Sequence, residues 1–491
     1  MRRFAIRRLH APLQPSSLSW NNGAPPIYDV AKIVVSKHCL PDSYGPVGKK
    51  REQVKTILFC MHQELGHINP TFKIGRALLQ KGFNVRYFAT PDIGPNIAAQ
   101  GFTPVAWFPD LFPSGYAEAE TKIPRFSKRR LMTRLYQEMA ERMLSQQAEA
   151  REIIEADLVV VDINEPLIAM LAKKHNVPCV MFNTALPQTE DPGIPPTRSL
   201  VEYGPGWLNR ARAALLWWKF RIQRRATAWL ANRIGLCPPY ALVMQLAPRF
   251  GIRASELESN TMYMPQLRNT HELLACPAAF DFPRPQSAFR SYIESIDLHR
   301  KEVSFPWGDL DPSKPLIYCS FGTQSYQRDN VAQLLGCLVS VAQLRPNFQF
   351  VIATGAQAGL VTPSSNAANI VIVQRAPQLA LLSRAEVMIT HAGLGSIKEC
   401  LAFGVPMLAF PLAIDQPGNA ARIKHHGLGI VGNVRRVSAA RLVLMLEQLI
   451  GDPSFKDKAE RMRREFERVE NASTGVTLIE ALLTGDARQP R

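Results

Sequence analysis

The chain has 491 residues, more than one hydrophobic core usually organises, so several domains are expected. Hydrophobic residues make up 46% of it, which excludes a largely disordered protein. The formal charge of +17 fits nucleic acid, anionic lipid or phosphorylated ligands as partners and does not choose between them. No apolar run is long enough to cross a membrane. The eight scattered cysteines form no C-x-x-C pair, which indicates reduced thiols and a cytoplasmic protein.

The first 53 residues differ from the rest. Four arginines occur within the first eight positions, no acidic residue precedes Asp29, and serines and prolines follow. This composition is typical of a transit peptide, and it equally fits a disordered basic tail or a start codon placed too early. No apolar segment follows the arginines, which argues against a secretory signal. We assign residues 1–53 as a disordered basic extension.

Residues 54–290 show a strand–helix–strand pattern. TILFC is followed by the loop MHQELGHINP, a helical stretch and the strand NVRYFAT. Further along, ADLVVVD, a helical stretch and VPCVMFN repeat the pattern. Continuous apolar strands of this kind are typical of buried parallel sheets. The sequence therefore predicts one Rossmann-like domain over 54–290.

A second alternating series follows a proline-rich linker, which we place at 291–314. Residues 315–455 contain five apolar strand-like runs separated by helical stretches, and 456–491 form a charged helical tail. The predicted fold class is α/β, with two Rossmann-like doubly wound domains facing each other across a cleft. Ligands of such sheets bind at the carboxyl ends of the strands.

The most informative stretch is EVMITHAGLGSIKECLAFGVPMLAFPLAIDQPGN. A buried strand delivers His391, and Gly393 and Gly395 allow close backbone approach to a ligand. Ser396 opens a helix whose amino end suits a phosphate group. Ser396 and Glu399 also have the spacing of a capping box, which needs no ligand.

A second strand in this stretch, MLAFPL, ends close to Asp415 and Gln416. An acid and an amide at the end of a buried strand are suited to hydrogen bonds with the hydroxyl groups of a sugar. Both face the same predicted cleft as the helix that Ser396 opens.

Residues 375–423 resemble the donor-binding signature of the UDP-dependent glycosyltransferases, family one of the GT-B superfamily, and the two-domain layout extends this resemblance from about residue 54 onward. The order of His, Gly, Ser, Glu, Gly-Val-Pro and Asp-Gln is that of the family. The chain departs from the family pattern at two places, of which the second, at Leu394-Gly395, favours the bacterial antibiotic-type members and the first, at Arg375, leaves the identity of the base open. Arg375 replaces a tryptophan that stacks on uracil, and Leu394-Gly395 replaces the Trp-Asn of plant-type members.

The resemblance assigns each matched residue a part of the donor. A guanidinium plane at Arg375 can also stack on a base. The resemblance further implies that the backbone of Ala376 contacts the base, and that Gln378 and Glu399 contact the ribose. The diphosphate contacts that it implies are His391, Gly393, Gly395, Ser396, Ser320, Gly322 and Thr323. The contacts with the transferred sugar are Asp415, Gln416 and Thr184.

The loop after TILFC contains the candidate base, His67, just before a helix that Asn69 and Pro70 are suited to begin. Removing a proton from an acceptor hydroxyl suits a histidine, and the catalytic histidine of the family occupies this Gly-His-x-x-Pro position. Asp162, at the end of LVVVD, is the candidate carboxylate that orients it. Asp162 could instead cap the following helix, and His62 is the rival base.

These assignments predict one displacement with inversion. His67 deprotonates the acceptor, Asp162 supports it, and the amino end of the helix at Ser396, with His391 and Thr323, stabilises the leaving diphosphate. The donor region has no D-x-D pair, so we expect neither a metal nor any other cofactor.

The stretch 206–235 is the candidate acceptor element. Leu208, Ala211, Leu215, Trp218, Ile222, Ala226 and Trp229 fall on one helical face, and Arg210, Arg221, Arg224 and Arg225 on the other. The arginines could contact an anionic membrane surface. Alternatively, the helix closes the acceptor pocket with its tryptophans in the core.

The predicted function is transfer of a hexose, glucose by default, from a UDP-sugar to a small lipophilic hydroxylated acceptor such as a polyketide, a terpenoid or carotenoid, or a phenolic. Nucleic acid is not an expected partner. Two alternatives are a nucleotide-sugar epimerase of the same fold and a catalytically silent sugar-nucleotide-binding partner protein. The Gly-His-x-x-Pro motif and the tryptophan-rich stretch argue against the epimerase.

Overall fold

Each half of the chain is built around one parallel β-sheet in the computed structural model, which describes residues 54–322, 329–355 and 369–484. The basic extension assigned to 1–53 and the proposed donor contact Thr323 lie outside the described residues.

The amino-terminal sheet has seven parallel strands in the order β3-β2-β1-β4-β5-β8-β9. The two strands between β5 and β8 in the chain, β6 and β7, form a separate antiparallel pair. The strands are β1 (Thr56–Cys60), β2 (Asn84–Ala89), β3 (Thr103–Ala106), β4 (Leu158–Asp162), β5 (Cys179–Asn183), β6 (Leu257–Glu258), β7 (Gln266–Leu267), β8 (Glu272–Leu274) and β9 (Arg290–Tyr292). Every residue of β4 is buried, as expected of a central strand covered on both faces.

Helices cover both faces of this sheet. They are α1 (Leu65–Ile68), α2 (Phe72–Gln80), α3 (Gly94–Ala99), α4 (Tyr116–Thr121), α5 (Arg125–Leu144), α6 (Ala148–Glu155), α7 (Pro166–Lys174), α8 (Trp207–Arg233) and α9 (Pro239–Leu246). Helix α2 buries Phe72, Ile74 and Leu78 against the sheet. It ends just before Gly82, whose φ of 89° lies in the left-handed region that favours glycine.

The carboxyl-terminal sheet has six parallel strands in the order β12-β11-β10-β13-β14-β15. These strands are β10 (Leu316–Ser320), β11 (Gln349–Ala353), β12 (Ile370–Val373), β13 (Ala385–Thr390), β14 (Met407–Ala409) and β15 (Gly429–Val431). The helices of this half and of the end of the chain are α10 (Asp329–Leu344), α11 (Gln378–Leu382), α12 (Leu394–Ala402), α13 (Gln416–His425), α14 (Ala439–Gly451), α15 (Pro453–Asn471) and α16 (Thr474–Thr484).

Both sheets reverse their strand order once, between β1 and β4 in one half and between β10 and β13 in the other. Helices that follow the two strands at such a point leave on opposite faces, so a crevice opens at the carboxyl ends. This is the doubly wound, two-domain α/β architecture predicted from the sequence. The loops after β1, β4, β10 and β13 carry most of the candidate site residues.

The predicted linker and tail are packed against both halves. The amino-terminal sheet extends to Tyr292, slightly past the predicted boundary at 290. Helix α15 packs on α12 and α14, whereas α16 returns to the amino-terminal half, where Val476 and Ile479 share a core with β1. The carboxylate of Glu294 in the connecting segment accepts hydrogen bonds from the backbone of Gly475 and Val476 at the start of α16.

Helix α8 turns its predicted apolar face outward, so the expectation that the tryptophans of this face lie in the core is wrong. The residues that it buries are Ala213, Trp217 and Ala231, whereas Trp218, Ile222 and Trp229 of the predicted pocket-facing side are exposed. Trp217 Nε1 donates to the Ile194 carbonyl oxygen at 2.8 Å. Because the helix is apolar on both sides, its sequence does not decide which of the two adjacent tryptophans faces inward. This tertiary contact decides it.

Two of the four arginines predicted to lie on an open basic face also point inward. Arg221 pairs with Glu190, and Arg224 donates to the carbonyl oxygens of Thr261 and Ser259 at 2.8 and 3.0 Å. A lipid-facing role for Arg221 and Arg224 is therefore wrong. Within the described ranges, no helix combines the length and apolarity that crossing a bilayer requires.

A buried ion pair joins the two halves. Arg422 on α13 donates from Nε and Nη2 to Asp281 Oδ1 at 2.8 and 2.6 Å, and both side chains are fully buried. Arg284 donates to the other carboxylate oxygen of Asp281. Burial by itself raises the pKa of Asp281, but the two guanidinium groups outweigh it and hold that pKa well below its usual range. Asp281 is therefore ionised where the halves meet.

We predict that Arg422→Met lowers the free energy of unfolding by about 3–5 kcal/mol, because it leaves a buried carboxylate short of one partner. Urea unfolding followed by circular dichroism measures the loss. The control is Lys424→Met on the same helix, where an exposed pair with Glu202 is lost at a cost of about 0–1 kcal/mol. Equal losses in the two variants would contradict the prediction.

Candidate active site

His67 and Asp162 meet at the carboxyl ends of β1 and β4. His67 lies in the single turn of α1, whereas the sequence places it in a loop before the helix. Its Nδ1 lies 2.7 Å from Asp162 Oδ2, and the side chain of Asp162 is fully buried. A carboxylate at Nδ1 requires the proton on that nitrogen, so Nε2 is the basic atom of the ring.

Asp162 does not cap helix α7. The residue before that helix is Glu165, with no side-chain cap, and Asp162 Oδ1 instead accepts from the backbone N–H of Asn164 at 2.9 Å. Burial raises the pKa of Asp162, but His67, His62 and the backbone N–H of Asn164 together outweigh it, and the pKa lies below its usual value. The carboxylate is therefore ionised beside the imidazole, which is what orienting a base requires.

Thr184, at the end of the strand beside β4, contacts the same histidine. Its hydroxyl lies 3.1 Å from His67 Nδ1. The sequence assigns Thr184 to the donor sugar, and the structure places it beside the imidazole that would act on the acceptor. Both partners of His67 lie at Nδ1, which leaves Nε2 available to the cleft.

The rival base, His62, lies between two carboxylates. His62 Nδ1 lies 2.8 Å from Glu165, and Nε2 lies 3.7 Å from Glu64. Burial lowers the pKa of His62, but these two carboxylates outweigh it and raise the pKa well above its usual value. A raised pKa favours the protonated imidazole, which cannot accept a proton, so the local electrostatics favour His67 as the base.

The proposed diphosphate site is the amino end of α12. This helix begins at Leu394, with Gly393 before it, so Ser396 lies in its first turn. The capping-box alternative for Ser396 and Glu399 is therefore not observed. A Cβ at Gly395 would meet no atom within 4 Å, so the helix end is open at this point to an anion.

Two glycines pack against the ring of His391, which follows strand β13. A Cβ at Gly322 would lie 2.7 Å from His391 Nε2, and one at Gly393 would lie 2.4 Å from it. Any larger side chain would displace the imidazole. Ser320 ends the neighbouring strand β10 and is buried. The structure thus brings these four proposed diphosphate contacts to one edge of the sheet.

Glu399 is already oriented by two partners. Its Oε1 accepts from Arg300 and its Oε2 from Gln378 Nε2, each at 2.5 Å. Gln378 Nε2 also lies 3.4 Å from Ser396 Oγ, and Gln378 Oε1 accepts from Tyr318 at 3.1 Å. The proposed ribose and diphosphate contacts therefore form one hydrogen-bonded group. Arg375 is exposed just before this group, and Ala376 is half-buried.

The proposed sugar contacts lie where α13 begins. Asp415 Oδ2 accepts from Asn419 at 3.0 Å, and Gln416 Oε1 accepts from the backbone N–H groups of Leu412 and Ala413. The Gln416 oxygen thus stabilises its own turn, and its amide nitrogen remains for a ligand. Burial raises the pKa of Asp415, and the nearby charge of His67 opposes this rise.

The loops that carry His391 and Asp415 are strained in the same way. Ala392 has a φ of 63° and Ile414 a φ of 58°, both in the left-handed region that residues with side chains rarely adopt. A β-branched residue in this region is an outlier, and such strain clusters at functional sites. The tight turn after His391 therefore comes from Ala392 and not from Gly393, whose φ is −66°.

A cavity of about 930 Å³ adjoins the site. Helix α8 contributes Leu216, Phe220 and Ala228 to its wall, and Tyr263 lies opposite in the same lining. Burial raises the pKa of the Tyr263 phenol, and the carboxylate of Asp415 raises it further. Tyr263 thus connects the wall of the cavity electrostatically to the proposed sugar contact Asp415, and the volume of the cavity suits a drug-sized molecule.

Sequence reasoning missed two of these residues. Arg300 lies in the assigned linker and Tyr263 in an irregular segment, so neither belongs to a periodic element or a motif. Only the tertiary structure places Arg300 on Glu399 and Tyr263 near Asp415. No cluster of three His, Cys, Asp or Glu side chains suited to a metal occurs within 54–322, 329–355 and 369–484.

Three comparisons place the chain among known proteins. Residues 259–466 match the family model described as UDP-glucoronosyl and UDP-glucosyl transferase. The chain is 25% identical over 443 residues to zeaxanthin glucosyltransferase of Pantoea ananas, covering 85% of this chain and 93% of that one. It is 25% identical over 427 residues to oleandomycin glycosyltransferase of Streptomyces antibioticus, covering 85% and 88%. The crystal structure of the glycotransferase of kitacinnamycin superposes with a TM-score of 0.65 at 21% identity, covering 88% of this chain and 100% of that one.

We predict that Glu165→Gln lowers the pKa of His62, and that Glu64→Gln, the control with the longer contact, lowers it less. Titration of the ring resonances by NMR measures both. The pKa of His62 is higher in the folded protein than in the unfolded chain, where it is about 6.5. The His62–Glu165 pair therefore contributes its full stability below about pH 6.5, and this contribution is lost as the pH rises through the folded pKa. The stability difference between wild type and Glu165→Gln should therefore shrink at alkaline pH. A wild-type His62 that titrates below about 6.5 would contradict this prediction.

Proposed function

We propose that this chain is a glycosyltransferase that moves a hexose from a UDP-sugar to a hydroxyl group of a small lipophilic acceptor, with inversion at the anomeric carbon. The match of residues 259–466 to the UDP-glucosyl transferase family model, the similarity to zeaxanthin glucosyltransferase and the shared fold support this proposal. Glucose is the default sugar. The observation that carries this proposal is the His67–Asp162 pair, and the charge of His67 also acts on Asp415, the proposed sugar contact.

The base is His67. The acceptor hydroxyl approaches Nε2, which accepts its proton as the oxygen forms a bond to the anomeric carbon and the bond to the diphosphate breaks. The imidazolium that results is stabilised by the ionised Asp162 at Nδ1. The negative charge that develops on the diphosphate faces the backbone N–H groups of α12, with Ser396 and His391 beside them.

The donor is oriented by the group around Glu399. Its carboxylate would accept from the ribose hydroxyls, and Arg300 and Gln378 hold it in place. The Ala376 backbone and the exposed guanidinium of Arg375 would contact the base, and Asp415 and Gln416 the sugar. Helix dipoles and these side chains would supply the electrostatic stabilisation, so the proposal needs no metal.

The acceptor would occupy the cavity beside α8. Its wall is largely apolar, with Leu216, Phe220 and Met262 among the lining residues, which suits a lipophilic molecule. The two curated relatives are named for zeaxanthin and oleandomycin, and by analogy we propose a polyketide, a terpenoid or carotenoid, or a phenolic. The seven free cysteines of the described residues are consistent with action in the cytoplasm.

We predict that His67→Ala lowers kcat for transfer by about 10²–10⁴-fold, because the acceptor keeps its proton. Binding of UDP, measured by calorimetry, should stay within a few-fold of wild type, since the base does not contact the nucleotide. The matched control is His62→Gln, which should keep most of the activity. The reverse order of damage would transfer the role of base to His62.

We predict that UDP-glucose is preferred at least about tenfold in kcat/KM over dTDP-glucose, because Glu399 would accept from the 2′-hydroxyl that the deoxyribose lacks. Glu399→Gln should reduce this preference. UDP-galactose and UDP-glucuronate, which have the same base, then test the sugar contacts. Both should give a lower kcat/KM than UDP-glucose. A preference for dTDP-glucose would show that Arg375, and not Glu399, decides the choice of nucleotide.

A further inference from the structure

Helix α8 exposes an apolar stripe along its whole outer side. The exposed large apolar side chains of this helix are Trp207, Leu208, Leu215, Trp218, Ile222, Trp229 and Leu230. At 100° per residue most of them fall within one sector, opposite Ala213, Trp217 and Ala231, which the helix buries. Trp207 is 75% exposed and Trp229 57%. An apolar strip of this kind on a folded surface marks a binding face.

Basic side chains border this stripe. Arg212 and Arg225 lie on its two sides, and Arg233 lies at its end with its guanidinium 4.1 Å from the centre of the Trp229 ring. All three are exposed, and α8 contains no acidic residue. Tryptophans beside arginines on one face of a helix suit the boundary between lipid headgroups and acyl chains.

We propose that the outer stripe of α8 binds the surface of an anionic lipid bilayer, with Trp207, Trp218 and Trp229 among the headgroups. The charge pattern selects this occupant. In a symmetric pair of copies the same basic borders would face each other and repel, whereas anionic headgroups neutralise them. The apolar side, and not the side of Arg221 and Arg224, therefore faces the lipid.

The same helix connects this surface to the cavity. Leu216, Phe220 and Ala228 line the cavity, whereas the tryptophans of the stripe do not. A protein docked through the stripe would hold the cavity close to the bilayer, and a lipophilic acceptor could enter without crossing water. This consequence rests on the proposed function, but the binding itself does not.

The test is co-sedimentation of the full chain with vesicles. Vesicles of phosphatidylcholine with phosphatidylglycerol are compared with phosphatidylcholine alone, at low and high salt, without nucleotide sugar or acceptor. The wild type should sediment with the anionic vesicles at low salt, less at high salt, and little with the neutral ones.

Two triple variants locate the binding face. Replacing Trp207, Trp218 and Trp229 with Gln should abolish sedimentation. Replacing Arg212, Arg225 and Arg233 with Gln should weaken it by about 100-fold, since each basic residue near an anionic surface contributes about fivefold. The charge-matched control replaces the exposed Arg435, Arg436 and Arg461 of the other half with Gln and should bind as the wild type does. All variants retain residues 1–53, so the charge of that extension is constant, and circular dichroism checks their folding.

Three outcomes would overturn the proposal. The wild type fails to sediment with anionic vesicles at low salt, the tryptophan variant sediments as well as the wild type, or the control loses as much binding as the α8 arginine variant. A concentration-dependent dimer in the absence of vesicles, lost in the tryptophan variant, would assign the stripe to a second copy instead. Loss of glycosyl transfer does not enter this readout, so failure here and failure of the proposed function are distinguishable.

Discussion

The contact on which the rest of the site depends is the buried pair of Arg422 and Asp281. It joins the two halves of the chain directly, and the ring of Phe282 covers the guanidinium at 4.0 Å from its centre. Arg422 also donates to the carbonyl oxygen of Gly418 in its own helix. Because Asp415 directly precedes that helix, the ion pair fixes the position of the proposed sugar contacts relative to His67.

A second contact limits the same arrangement from the other side. The backbone N–H of Gly418 donates to the Thr197 carbonyl oxygen at 2.7 Å, and a Cβ at Gly418 would overlap that carbonyl. The first turn of α13 thus packs against the amino-terminal half.

His62 and His67, with ring centres 5.2 Å apart, together lower the pKa of Asp162, so both imidazoles act on the carboxylate at the centre of the site.

The central strands, and the strand and helix on either side of His391, could be predicted because their signals are local. A run such as LVVVD is buried whatever surrounds it, and the helix after His391 follows from its own residues. The inward face of α8 could not be predicted, because Trp217 and Trp218 are chemically alike and only the Ile194 carbonyl distinguishes them. The strands β8 and β9 have three residues each, too few for a periodic signal. Arg300 was missed because its contact with Glu399 spans 99 residues of chain.

The return of α16 to the first domain has a consequence for synthesis. Lys55, which directly precedes β1, donates to the Leu483 carbonyl oxygen across 428 residues, and Val476 and Ile479 complete the core beneath that strand. Ribosomes add about 5–20 residues per second, so about 20–90 s pass between these two ends. During that time the first domain lacks one of its covering helices and exposes apolar surface. The domain that is made first is therefore finished last, and its incomplete core is open to aggregation until α16 emerges.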